Sequence, residues 1–288
     1  MLSRVDRVLL VVRDRAAAAR TWQDYFGAEV VREYESRTLG ARATVVQAGE
    51  SEFELLEPSG TGPAREFQSA WGQGLFAAGF STPDIQEMAR HLQMEGIKVA
   101  EDGDRLFLDG LQTVGMPTIL SQDTPREPVG HIRHLYEVTN VVPGWEAARD
   151  YYTRIFGLDP TRFSDLKSKR WGYEGTLTLF NPPAQLDRIE ITQVSGESAM
   201  QRFYEKRGAS LYMCFIETDD VMALAARLQE SDARFVHSEP DRAPEAGLFI
   251  HPSSLHGMLM GVSLTNYAWV WSGRPDLAGE LAKGRKEH

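Results

Sequence analysis

The sequence predicts an α+β fold in which four βαβββ units pair into two domains. An apolar strand at Val5-Asp6-Arg7 and a helix-like stretch ending at Tyr25-Phe26-Gly27 recur past the midpoint as Ile132-Arg133-His134 and Ile155-Phe156-Gly157. Each half is itself double, because a second strand and helix of the same kind follow within it. One unit alone leaves a sheet face unburied, so the units are expected to pair around shared cores.

Capping residues place the helices of the first half. Asp14 can cap the first helix, and Gly27 can end it. In the second unit Thr82 is the expected N-cap, Pro83 takes the first helical position, and Gly96 follows the helix. The predicted strands of these two units cover residues 7–12, 29–34, 43–48, 51–57, 75–80, 97–100, 105–108 and 117–121.

The second half repeats this order. A helix is predicted over residues 145–156 with Gly157 as its stop, and another over residues 221–229 with Thr218 or Asp219 as its N-cap. The predicted strands cover residues 133–138, 162–165, 175–180, 188–194, 211–217, 233–237, 247–251 and 258–264.

Pro-rich segments at residues 58–63 and 123–128 are predicted linkers and set the domain limits. The first domain is expected to span residues 1–124 with units 1–58 and 74–121, and the second residues 130–266 with units 131–195 and 209–264. Residues 267–288 form a tail. Its aromatic side chains are expected to pack on the body, and its last dozen residues are expected to fray.

The acidic composition excludes several partners. A net charge of −10 opposes contact with phosphate backbones, so no nucleic acid is expected to bind. The apolar runs are too short to span a membrane, and charged residues interrupt the first of them, so no membrane anchor or signal peptide is expected. The single cysteine, Cys214, favours a reducing cytoplasm. A small molecule is the expected partner, and a homodimer is compatible with the sequence.

The repeated units resemble the vicinal oxygen chelate superfamily of glyoxalases, epimerases, bleomycin-resistance proteins and extradiol dioxygenases. The resemblance rests on residues 133–135 at a strand start, residues 152–158 at a helix end, residues 189–191 within a strand, and the hairpin from His251 to Gly257. It covers residues 1–264. It implies two glyoxalase-like domains, each a U-shaped sheet that forms a cup around a divalent metal. The family's ligands are His, Gln or Glu in the first and last strands of each unit.

Carried over residue by residue, the resemblance implies a first domain without metal. The first-strand position falls on Arg7, which cannot coordinate a cation, and the second unit offers Ala77 and Ile119. Glu54 is the one remaining ligand type. Because a guanidinium meets a carboxylate in a bidentate fork, we predict a structural ion pair between Arg7 and Glu54 in place of the metal.

The second domain keeps two of four ligand types. His134 and Glu190 match, whereas Tyr212 stands where His is expected and Gly261 where Glu is expected. The resemblance therefore implies one divalent ion (Fe, Mn, Co, Ni or Zn) held by His134 and Glu190, or no metal. Each residue also has a structural interpretation, as a hydrogen-bonded strand histidine, a solvent-facing glutamate and a core tyrosine.

The favoured interpretation is an enzyme that acts on an apolar or aromatic, oxygen-bearing metabolite in the second cup. Glu190 and His134 would each be a base or a ligand, and Tyr212 a polarising donor, in proton abstraction of the isomerase, epimerase or lyase type. One alternative is a metal-free protein that sequesters a ligand. The other is an extradiol ring-cleaving dioxygenase, which the two-domain layout favours and the missing second His and final Glu oppose.

Overall fold

The chain folds into two halves with the same order of elements. The computed structural model describes residues 2–237 and 243–278. The first half contains β1 (Arg4–Val11), α1 (Arg15–Phe26), β2 (Glu29–Ser36), β3 (Ala41–Ala48), β4 (Ser51–Pro58), α2 (Pro63–Trp71), β5 (Gly74–Thr82), α3 (Ile85–Met94), β6 (Ala100–Asp102), β7 (Arg105–Leu108) and β8 (Thr118–Gln122). The second contains β9 (His134–Val141), α4 (Trp145–Phe156), β10 (Ser164–Ser168), β11 (Tyr173–Leu179), β12 (Arg188–Val194), α5 (Ala199–Arg207), β13 (Ser210–Glu217), α6 (Val221–Glu230), β14 (Phe235–His237), β15 (Gly247–Ile250), β16 (Leu259–Ser263) and α7 (Thr265–Trp271).

Each half forms one curled eight-stranded sheet. The strand orders are β2-β3-β4-β1-β5-β8-β7-β6 and β10-β11-β12-β9-β13-β16-β15-β14. In the first sheet β1 pairs in parallel with β4 and antiparallel with β5, so two βαβββ units join at the sheet centre. The pairs of β9 with β12 and β13 repeat this arrangement. The predicted α+β fold of four βαβββ units in two domains, each a curled sheet that forms a cup, is confirmed.

A single apolar core joins the two halves on the convex faces of the sheets. Side chains from α1, α3, α4 and α6 pack there against strand residues such as Phe53, Phe80 and Ile189. On the concave faces the sheets form two cups. Helix α2 lies across the first cup, where Ala64 joins its apolar cluster. Helices α5 and α7 lie across the second, where Trp269 is buried. Within the described residues, no helix is both long and apolar enough to cross a membrane.

The helix ends differ in part from the prediction. Asp14 caps α1 and Gly27 ends it, as expected. Thr82 was the wrong N-cap for α3, because Asp84 accepts a hydrogen bond from the Glu87 amide. Asp220, and not Thr218 or Asp219, caps α6. Helices α2 and α5 were not predicted. Helix α2 begins at Pro63, which the sequence analysis assigned to a linker, although proline is favourable at the first position of a helix.

The aromatic side chains of the tail pack on the body as expected, since Trp269 is buried and Trp271 lies against Phe215. The expected fraying of the last dozen residues falls mostly on residues 279–288, which lie outside the described residues.

An approximate twofold relation governs how the two halves meet. The Val5 amide donates a hydrogen bond to Asp187 Oδ1 at 2.7 Å, and the equivalent Leu135 amide donates to Ser51 Oγ at 2.9 Å. Helix α1 packs on α6, and α3 packs on α4. Exchanging the halves maps each contact onto the other, so the first strand of each domain is anchored by the fourth strand of its neighbour.

The repeated glycines Gly115 and Gly257 mark two equivalent close approaches between the halves. Both have positive φ, 80° and 90°. A Cβ atom on Gly115 would overlap the Ala209 carbonyl, and one on Gly257 would overlap the Gln73 carbonyl. The sequence repeat at these positions therefore reflects a symmetric packing constraint between domains.

We expect Gly257→Ala to lower the free energy of unfolding by about 2–4 kcal/mol, because it adds a clash with the Gln73 carbonyl to the cost of the left-handed conformation. Gly196 is the matched control. Its φ is 88°, but the space around it is open, so Gly196→Ala should cost only about 1–2 kcal/mol. Urea unfolding of both variants measures the difference, and equal losses would contradict the interdomain contact.

Candidate functional site

Strand pairing defines which residues of the two cups are equivalent. Arg7 on β1 pairs with Glu52, and Glu137 on β9 pairs with Arg188. Arg7 therefore corresponds to Glu137, and not to His134, which begins β9 as Arg4 begins β1. The register used in the sequence comparison is three residues off at this strand.

Both strands also contain a bulge at the same position. In β1 the pairing with β5 skips Asp6, and in β9 the pairing with β13 skips Tyr136. Tyr136 and Glu137 both contact Arg188, which places two successive residues on the concave face. A prediction that assumes side chains alternate strictly between the two faces of a strand places one of these two residues on the wrong face.

The first cup contains a connected network of oppositely charged side chains. Arg7 Nη1 donates to Glu54 Oε1 at 2.8 Å and lies 2.9 Å from Glu52 Oε2. Arg105 Nη1 donates to the same Glu54 oxygen at 2.6 Å. The buried carboxylates Asp6, Glu52, Glu54 and Asp102 pair here with Arg7, Arg32, Arg105 and Arg126, and Arg4 joins the network 3.6 Å from Asp6.

Glu54 is fully buried at the centre of this network. Burial alone would raise the pKa of Glu54, but Arg105 and Arg7 lower it to about 2. The Tyr34 hydroxyl donates to its other oxygen. Burial would likewise raise the pKa of Asp6, and Arg7 and Arg126 lower it to about 2. A structural role for the Arg7–Glu54 pair, which these contacts support, stays a prediction.

Apolar side chains fill the rest of the first cup. Leu9, Leu56, Phe76, Phe107 and Ile119 form one buried cluster with side chains of α2. Because the buried carboxylates are paired and apolar side chains fill the remaining space, we assign no chemistry to this cup.

The floor of the second cup carries an unbalanced set of charges. Arg188 Nε donates to Glu137 Oε2 at 2.6 Å, in a reversed version of the Arg7–Glu52 pair. The Thr139 hydroxyl donates to Glu190 Oε2 at 3.0 Å. Glu190 faces Glu137 and, in the described residues, has no basic side chain within ion-pair distance. Two carboxyl groups here share one guanidinium.

Glu190 therefore holds a proton more firmly than an ordinary glutamate. Burial is the main cause that raises its pKa well above 4.5, and the adjacent charge and hydrogen bond of Glu137 raise it further. Its side chain sits on the cup floor with 7% of the residue exposed. Because adjacent carboxyl groups do not both ionise readily, Glu190 keeps its proton to a higher pH than an ordinary glutamate does.

Half-exposed aromatic residues surround this floor. They are Tyr173 on β11, Phe203 on α5, Tyr212 and Phe215 on β13, and Phe249 on β15. Tyr212 packs edge-on against Phe203, with ring centroids 5.0 Å apart. It lies two strands from Glu190, roughly 10 Å across the sheet. Glu190 and Tyr212 thus share one cup, at a separation that a small molecule can span.

His134 lies elsewhere, in a cavity of about 300 Å³ between the two domains. Its Nε2 is 3.5 Å from Glu217 Oε2. Burial lowers the pKa of His134 to about 4, so the ring is neutral at pH 7. Asp187 lines the same cavity, and burial raises its pKa to about 7.

A metal shared by His134 and Glu190 does not fit this arrangement. Glu190 pairs with Thr139, five residues beyond His134 along β9, so the two side chains start roughly 15 Å apart. Gly261, at the final ligand position, is covered by the Phe215 ring, which a Cβ atom would overlap. Among the described residues, no group of three or more His, Cys, Asp or Glu side chains could hold a metal ion.

Sequence reasoning missed Glu137 and Arg188. Glu137 could have been noticed as a charged residue within the otherwise apolar run that begins at Leu135. Arg188 lies two residues before Glu190, which places both on the same face of a strand. Glu137 adds to the effect of burial in raising the pKa of Glu190, and Arg188 opposes it.

We expect Glu54→Gln to lower the free energy of unfolding by about 3–5 kcal/mol at pH 7, because Arg7 and Arg105 lose a buried counter-charge. Denaturant unfolding with circular dichroism measures this. Unchanged stability in Glu54→Gln would refute the structural role of the network.

Glu190→Gln should change the free energy of unfolding in a way that depends on pH and, unlike Glu54→Gln, should stabilise the protein at higher pH. A raised folded-state pKa means that the contribution of Glu190 to stability is present below pH 4.5 and is lost as the pH rises towards the folded value. Relative to wild type, Glu190→Gln should therefore gain stability steadily above pH 4.5. The exposed Glu197→Gln is the control and should follow wild type throughout. A pH-independent difference for Glu190→Gln would contradict the raised pKa of Glu190.

Comparison with known proteins agrees with this architecture. The profile of the Glyoxalase/Bleomycin resistance protein/Dioxygenase superfamily matches residues 4–134 and again residues 129–259. A variant of 4-hydroxymandelate synthase from Streptomyces coelicolor is similar in structure, with a TM-score of 0.73 and 11% identity over 99% of this chain and 100% of that one. A fusion of a xylose isomerase-like TIM barrel with 4-hydroxyphenylpyruvate dioxygenase gives a TM-score of 0.59 and 12% identity over 91% and 48% of the two chains.

A variant of methylmalonyl-CoA epimerase from Streptomyces coelicolor covers 43% of this chain and 100% of its own, with 21% identity and a TM-score of 0.39. Comparison with curated proteins gives no significant match. At these identities the solved structures show the fold alone. The two profile matches together cover most of the sequence, and the chain belongs to the glyoxalase/bleomycin resistance/dioxygenase superfamily.

Proposed function

We propose that the protein is a small-molecule enzyme that moves a proton at a carbon next to a carbonyl group, in the second cup. The observation that carries this proposal is the hydrogen-bonded Glu190–Glu137 pair on the floor of a cup that half-exposed aromatic side chains line. A carboxyl group whose pKa burial raises is a stronger base than an ordinary glutamate, which suits general acid–base catalysis.

In the reactive form Glu190 is a carboxylate that faces the substrate. Glu190 takes the proton from the carbon, and the electron pair of the C–H bond moves onto the carbonyl oxygen to form an enolate. The Tyr212 hydroxyl, across the cup, donates a hydrogen bond to that oxygen. Return of the proton from Glu190 to carbon completes an isomerisation or epimerisation.

Arg188 and Thr139 are positioning residues in this scheme. Arg188 holds Glu137 through the 2.6 Å contact, and Thr139 orients Glu190 through its hydroxyl. His134 lies outside the cup and takes no part. The half-exposed rings favour an apolar or aromatic substrate.

A metal-free binding protein is the second candidate function. It is favoured by Phe215 covering Gly261 and by the ion pair at Glu137, which close the positions where the family places ligands. A dioxygenase reaction is supported less well, because these positions offer neither two His nor a third donor.

Solvent exchange tests the enzymatic proposal. We expect the protein to catalyse deuterium incorporation next to the carbonyl of at least one member of a panel of aryl and short-chain 2-oxo acids and hydroxyketones in D₂O, followed by proton NMR. Glu190→Gln should slow this exchange at least about 100-fold, because general bases contribute about 10²–10⁴. Glu197→Gln should not change it.

If aromatic members of the panel bind saturably while none exchanges faster than in buffer, the binding function is correct and the enzymatic one is wrong. Exchange that survives in Glu190→Gln would place the base elsewhere.

A further inference from the structure

A second recognition site lies between the two cups, outside the residues assigned to proton transfer. A cavity of about 430 Å³ opens between α2 and α5 at the mouth of the first cup. This volume falls in the range of about 300–1,000 Å³ that small-molecule sites occupy. Most of its wall is apolar and includes Phe67, Trp71, Phe76, Phe107 and Leu111.

Leu111 is the most exposed large apolar residue of this wall. It stands after β7 with 96% of its surface exposed. One exposed leucine is ordinary on a protein surface, but here it borders an apolar cavity and extends the wall outward.

Arg207 gives the cavity a cation without a counter-charge. Its guanidinium carbon lies 5.6 Å from the Phe67 ring centre, 5.1 Å from that of Trp71 and 5.0 Å from that of Phe203. In the part of the chain that the structure describes, no carboxylate forms an ion pair with it. Burial lowers the pKa of Arg207, yet a guanidinium stays charged at neutral pH.

The three rings orient this guanidinium but do not satisfy its N–H donors. Glu66 and Asp109 also line the cavity, at exposed positions, and neither pairs with Arg207. A half-buried cation beside an apolar wall is complementary to a molecule with one anionic end and one apolar body.

We propose that this cavity binds a small apolar carboxylate, with the carboxylate on Arg207 and the hydrocarbon or aryl body against Phe67, Trp71 and Leu111. The site is independent of the proton-transfer function proposed for the second cup.

Calorimetric titration with octanoate and with 4-phenylbutyrate tests the site and separates alkyl from aryl ligands. We expect saturable binding of at least one of them, with one site per chain. The matching amide, octanamide or 4-phenylbutanamide, should bind about tenfold or more weakly, because it lacks the charge that Arg207 recognises.

Variants locate the bound molecule. Arg207→Gln should weaken binding of the carboxylate about tenfold or more. Lys206→Gln, which removes the same charge from the exposed neighbouring residue, should leave affinity unchanged. Leu111→Asp, at a position too exposed to affect folding, should also weaken binding, because it adds a carboxylate to the wall.

Absence of saturable binding by both carboxylates would overturn the proposal. So would amides that bind as tightly as the acids, or wild-type affinity in Arg207→Gln, which would place the ligand in another pocket. If circular dichroism shows that Arg207→Gln does not fold, the amide comparison and Leu111→Asp decide the question on folded protein.

Discussion

The concave faces of both sheets bury charged groups, and the need to compensate those charges determines what each cup can do. In the first cup Arg7 lies between Glu52 and Glu54, and each buried carboxylate of the network faces at least one guanidinium group. In the second cup the sign at the central strand is reversed, and Glu137 lies between Arg188 and Glu190. One cation then serves two acids. A buried carboxyl group without a counter-charge keeps its proton, so the same scaffold gives a rigid network in one domain and a titratable pair in the other.

The two cups can differ this much because the interface between the domains depends on other residues. The amides of Val5 and Leu135 are anchored by side chains at the start of the partner domain's fourth strand. Gly115 and Gly257 allow the backbones to meet. These contacts use Ser51, Asp187 and the turn glycines, whereas the differing pairs Arg7–Glu52 and Glu137–Arg188 begin one residue further along the fourth strands. Substitutions on the cup floors therefore leave the twofold packing intact, and a domain without chemistry of its own still supports the first strand of its neighbour.

The fold could be predicted because the repeated units are visible in the sequence. Their helix-capping residues and apolar strand segments are local features, and they recur in the same order in both halves. Helix α4 and strand β12 have the bounds that the pattern indicated. The site could not be predicted in the same way. Its residues are defined by pairing across strands, and the bulge at Tyr136 moves Glu137 onto the concave face against the simple alternation. Matching Arg7 with His134 by their neighbours in sequence consequently selected a histidine at the domain boundary. Glu190 was found because it is the central residue of a regular strand.

A buried charge without a counter-charge destabilises a folded protein. Most buried charged groups of this chain have such a partner, so the groups without one are candidates for function. Two such exceptions are the acid at Glu190 and the cation at Arg207, and helix α5 lies beside both. Phe203 of this helix packs against Tyr212 on one side and against the Arg207 guanidinium on the other. The two proposed sites thus share one aromatic ring of α5 but depend on different charged groups, so each can be altered by substitution without removing the charge on which the other depends.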